Sequence, residues 1–94
     1  MVENIKTYNV LISGRVQGVG FRYFAVSIAE KYDVKGFVKN IPGGRVEIVC
    51  QGEEEELQSF LSEVKKGPAF SVITDTATEE IPEIKKYNTF EIRY

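Results

Sequence analysis

Gly14-Arg15-Val16-Gln17-Gly18-Val19-Gly20-Phe21-Arg22 joins two stretches of different periodicity. Upstream, Tyr8, Val10 and Ile12 alternate with Asn9, Leu11 and Ser13, which predicts a strand over residues 7–13. Downstream, Phe21, Phe24, Ala25, Ile28, Ala29 and Tyr32 recur at helical spacing as one apolar stripe. The glycines Gly14, Gly18 and Gly20 allow turns that other residues resist and let amides face inward. A loop of this kind, ending at a helix N-terminus, is a ready cradle for an anion, because unpaired N–H groups point outward and the dipole favours negative charge. Arg22 adds a planar fork able to hold two phosphate oxygens at once. The same residues fit a plain strand-to-helix turn with a solvated arginine, and spacing alone favours that reading.

Working outward, Asp33 is placed to close the first helix in the left-handed conformation. Gly36-Phe37-Val38-Lys39-Asn40 reads as a short strand, Ile41-Pro42-Gly43-Gly44 as a tight turn, and Arg45 to Cys50 as the returning strand of a hairpin. Cys50 shares a face with Val46 and Ile48, so it reads as a small core residue and not a nucleophile. A second helix follows. Glu53 to Glu56 load its first turn and Lys65-Lys66 its last, both matching the macrodipole, while Leu57, Phe60, Leu61 and Val64 form its buried stripe. The glutamate run lacks the spacing of a calcium loop and reads as a solvated helix end. Gly67 and Pro68 stop the helix, a fourth strand is expected near 71–77, and part of the polar stretch 78–88 is expected to be exposed or mobile. Phe90, Ile92 and Tyr94 alternate in a short last strand.

The order β-α-β-β-α-β, plus that strand, predicts an α+β ferredoxin-like sandwich: two helices on one face of an antiparallel sheet, in one domain over residues 1–94. The fold alone names no activity.

Composition narrows the chemistry. A net charge of −2 argues against the basic field of a nucleic-acid binder. One cysteine permits no internal disulfide, and no leader or membrane-length apolar run is visible, so a small cytoplasmic protein without membrane attachment is expected. The chain has no histidine, which removes the usual proton-transfer group near neutral pH and any zinc site built on His and Cys. No metal and no cofactor is expected.

Phosphate motifs can be tested against the loop. A P-loop ends in Gly-Lys-Ser/Thr, whereas Gly20-Phe21-Arg22 supplies no magnesium-binding hydroxyl. The dinucleotide fingerprint requires a third glycine where Tyr23 stands. An RNA-recognition motif shares the element order, and Lys35-Gly36-Phe37-Val38 begins its signature. However, Lys39 replaces the second stacking aromatic and the match falls on the wrong strand.

Gly14 to Arg22 resembles the first signature of the acylphosphatases. Gly36-Phe37-Val38-Lys39-Asn40, followed by Gly44, Val46 and Gly52, is similar to their second, and Phe90 to Tyr94 is similar to their ending. Gly43 stands where an acidic turn residue is frequent in that family, and Gly67-Pro68-Ala69-Phe70 is a loose version of its post-helix segment. The resemblance implies metal-free hydrolysis of the carboxyl–phosphate anhydride of acyl phosphates. It assigns phosphate binding to Arg22 and the loop amides around Gln17, Gly18, Val19, Gly20 and Phe21, and positioning of the attacking water to Asn40. Taken alone, Asn40 before Ile41-Pro42 reads as a turn residue capping its own backbone.

The partner implied is a small acyl phosphate, with inorganic phosphate as product and inhibitor. A monomer that binds no nucleic acid is expected. A module that holds phosphate without turnover would be expected to lose Asn40 while keeping Arg22, and both are present. Similar domains begin larger carbamoyl-phosphate-handling proteins; an end at Tyr94 points instead to a small free-standing acylphosphatase.

Overall fold

The computed structural model describes residues 4–82 and 85–94. Its elements are β1 (Ile5–Arg15), α1 (Phe21–Tyr32), β2 (Lys35–Ile41), β3 (Arg45–Glu53), α2 (Glu54–Val64), β4 (Val72–Ile81) and β5 (Phe90–Arg93). The strands form one sheet in the order β4-β1-β3-β2-β5. Both helices lie on one face, which is the ferredoxin-like arrangement expected.

Alternation decides what is buried. Val10, Ile12, Val38, Val46, Ile48 and Cys50 point from the sheet toward Phe21, Ala25 and Ala29 of α1 and Leu57, Phe60 and Val64 of α2. Cys50 is fully buried, and that burial pushes its thiol up to about 12. It is a packing residue. Asp33 ends α1 as expected, left-handed at φ 55°, with its N–H donating to the carbonyls of Ala29 and Glu30.

Five sequence expectations are corrected in detail. β1 begins at Ile5 and β4 continues to Ile81, pairing in register from Thr7↔Ile81, so Thr78 to Glu80 are an exposed strand. An edge strand with open sides needs no apolar alternation, so its sequence carried no period-two signal. The described residues of 85–88 are not strand, and 83–84 of the stretch expected to be exposed or mobile lie outside the described residues. Lys65 and Lys66 fall just past α2, with Lys65 as its C-cap. Tyr94 lies just beyond β5.

The fifth difference sets the architecture. β5 pairs parallel to β2, from Gly36↔Phe90 to Lys39↔Arg93, so the sheet is mixed and not wholly antiparallel. The chain leaves β4 at one edge and must reach β5 at the other. Gln51, on the sheet face away from the helices, holds that connection: its amide nitrogen donates to the Lys85 carbonyl at 2.8 Å and its oxygen accepts from the Tyr87 N–H at 3.0 Å. β5 then runs toward the end of the sheet where β1 passes into the glycine loop.

Gly36 lets β2 lie close against β3. At φ 137° it occupies backbone space closed to other residues, and a Cβ there would run into the carbonyl of Val49. Gly36→Ala should therefore destabilise the fold by about 3 kcal/mol or more, lowering Tm by roughly ten degrees or more. A thermal melt within a few degrees of the parent would show that β2 relaxes there without strain.

The helices are tied at their outer ends. The Tyr32 hydroxyl donates to the Glu63 carboxylate, and Lys31 Nζ sits 3.1 Å from it. The Tyr32 hydrogen bond, then Lys31, hold the Glu63 carboxyl below its ordinary range. A carboxyl lowered on folding contributes stability above its unfolded value, about 4.3, and loses it as pH falls through the folded value. Glu63→Gln should therefore lower Tm at pH 6 and converge with the parent in strong acid. Equal Tm values at pH 6 would remove Glu63 from the account of acid stability.

Candidate active site

The glycine loop is held at both ends by the core. Val16 and Phe21 are 1% and 2% exposed, so the residues between them must loop outward. Gln17 ties that loop sideways. Its amide donates to the carbonyls of Ile41 at 3.1 Å and Arg45 at 2.8 Å, which flank the β2–β3 turn. The loop is thereby anchored beside the end of β2, where Asn40 stands.

Gly20 caps α1 in the left-handed region at φ 77°, and its carbonyl accepts the first helical hydrogen bond from Phe24 at 3.0 Å. No side chain caps this N-terminus and no acidic residue lies in its first turn. The contrast with α2 is direct, for Glu54, Glu55 and Glu56 fill the first turn there. One helix end carries its own carboxylates against the dipole; the other carries none.

A cavity of about 110 Å³ opens at the α1 end. Gly18, Gly20, Phe21, Arg22 and Asn40 line it, together with Val16 and Tyr23. Gln17 and Val19 do not: the first turns its amide to the β2–β3 turn, and the second packs partly buried against the core. The Arg22 guanidinium lies 4.9 Å from the ring centroid of Tyr94, which β5 delivers to this end of the sheet. The guanidinium and the ring lie within cation–π distance, a contact that consumes none of the guanidinium's donors. Sequence reasoning missed the Gln17 clamp, the ring of Tyr94 over Arg22 and the place of Tyr23. All three depend on partners distant in the chain or on a surface that spacing does not reveal. A wider groove of about 830 Å³ lies at the opposite end of the sheet, between Ile5, Lys35 and Tyr87, and touches neither Arg22 nor Asn40.

Among the described residues, no three His, Cys, Asp or Glu side chains gather so as to hold a metal ion. No described helix is long and apolar enough to cross a membrane.

Residues 8–92 match the family model for acylphosphatase. An acylphosphatase of Bacillus velezensis is 48% identical over 87 residues, 93% of this chain and 97% of that protein. The chain belongs to the acylphosphatase family. The crystal structure of the acylphosphatase from Bacillus subtilis superimposes with a TM-score of 0.91 at 45% identity, covering 95% of this chain and 99% of that one. The chain is also similar to part of full-length HypF, solved in a phosphate- and nucleotide-bound form: TM-score 0.92 and 40% identity, over all of this chain but 12% of HypF. Membership makes the protein a hydrolase, and acyl phosphate hydrolysis is the activity that family and fold support. The acylphosphatase signatures, read along the sequence as two separated motifs, meet in space at one cavity.

Proposed function

We propose that the protein cleaves the carboxyl–phosphate anhydride of acyl phosphates without a metal, using Arg22 and the α1 N-terminus to hold the phosphoryl group and Asn40 to orient water. The observation that carries this reading is the shared cavity of Arg22, Asn40 and an uncapped helix N-terminus. In the proposed step the water oxygen bonds to phosphorus as the bond from phosphorus to the acyl oxygen breaks. The electron pair leaves with the carboxylate, and a phosphate oxygen takes the proton of the water. A carboxylate, whose conjugate acid has a pKa near 4, departs without a general acid. The chemistry then needs little beyond positioning and charge stabilisation, which is what a cradle, a guanidinium and an amide supply. The lack of histidine fits this mechanism.

The test is phosphate release from acetyl phosphate by purified protein in excess EDTA. Turnover should survive chelation and gain nothing from added magnesium or zinc. Loss on chelation with recovery on adding metal would overturn the metal-free site. No release under any condition would overturn hydrolysis itself.

A further inference from the structure

The cavity is too small to enclose a substrate with a large acyl group. Pockets that enclose a drug-sized ligand span roughly 300–1,000 Å³, and this one holds about 110 Å³. A phosphoryl group and a water fit; a bulky acyl group must emerge over the rim. Tyr23 forms part of that rim, for it lines the cavity beside Arg22 and yet is 68% exposed. Tyr94 already has a partner in the Arg22 guanidinium. Among the described residues Tyr23 has no hydrogen bond and no ring or cation against it. A lone exposed tyrosine is ordinary on a protein surface. What distinguishes this one is continuity with the reaction cavity, on the side where a substrate must leave it.

We propose that Tyr23 determines acyl specificity: its ring is the platform against which the acyl group lies, so that aromatic and bulky apolar acyl phosphates are preferred over acetyl phosphate. The inference rests on the hydrolytic reading above. An apolar acyl chain gains contact area on the ring, and an aryl group adds the offset or edge-to-face geometry that ring pairs favour. A methyl group reaches neither.

The experiment compares kcat/KM for benzoyl phosphate and acetyl phosphate in the parent, Tyr23→Ala, Tyr23→Phe and, as a control at the far end of the sheet, Ile5→Ala. Tyr23→Ala should lower the benzoyl-to-acetyl ratio of kcat/KM by roughly five- to tenfold. Tyr23→Phe should keep the parent ratio, and so should Ile5→Ala. A ratio unchanged in Tyr23→Ala, or equal losses on both substrates, overturns the assignment. Calorimetric binding of phenylphosphonate against methylphosphonate gives a second readout that needs no turnover. The parent should favour phenylphosphonate and Tyr23→Ala should lose that preference. If the parent hydrolyses neither substrate, hydrolysis fails while this binding difference still decides for or against Tyr23.

Discussion

Arg22→Ala should lower acyl phosphate turnover by roughly 10³-fold or more, the scale set by arginines that stabilise a transferring phosphoryl group. Arg22 lines the cavity at the open N-terminus of α1, with the Tyr94 ring behind its guanidinium. In the proposed role Arg22 meets the phosphoryl oxygens in the ground state and in the transition state alike. The loss should therefore appear in binding too, with inorganic phosphate becoming a much weaker competitive inhibitor. Arg22→Lys should recover only part of both effects, because an ammonium restores charge without the two-pronged geometry and stacks less well on an aromatic face. The variants should remain folded, since the buried stripe of α1 is Phe21, Ala25 and Ala29 and does not include Arg22. Inhibition constants for phosphate and turnover numbers, measured on protein checked by circular dichroism, decide the matter. Unchanged phosphate inhibition in Arg22→Ala would remove the residue from phosphate binding.

Asn40→Ala should separate from it. The expected loss is ~10²-fold or more in turnover, the scale for removing one positioned polar group at a reacting centre, with phosphate inhibition nearly unchanged. Asn40 sits near the end of β2, paired with Val46 of β3, and its backbone ladder does not depend on its side chain. Its side chain lines the cavity, and among the described residues no hydrogen bond engages its amide. Asn40→Asp would place a negative charge beside the incoming phosphoryl group and should be at least as damaging as alanine. Should Asn40→Ala abolish phosphate inhibition while Arg22→Ala retains it, the two roles are reversed.

Arg22 and Asn40 are singled out by likeness to the acylphosphatase signatures, whereas the elements that carry them follow from local demands of the chain. Period-two and helical patterns on either side of Gly14 to Arg22 are short-range properties of the chain, as is the left-handed stop at Asp33, so the elements and the fold class are legible from them. The four carboxylates at the start of α2 are likewise a local match to a dipole. Likeness to the acylphosphatase signatures put Arg22 and Asn40 in one list, but periodicity cannot say that they share a cavity. That depends on Gln17 reaching across to Ile41 and Arg45, a contact between residues 24 and 28 positions apart. The same limit hid the full length of β4, whose exposed edge imposes no apolar pattern, and the direction of β5. A strand of four residues has no internal signal for parallel or antiparallel pairing. Its direction follows from the connection that Gln51 holds across the open face of the sheet, and that direction is what brings Tyr94 to Arg22. Sequence by itself determined the elements and the core faces, because those follow from neighbours along the chain. Tertiary structure alone decided the register at the edges, the clamp on the loop and the aromatic surround of Arg22, because each is a contact whose energy exists only once distant segments have met.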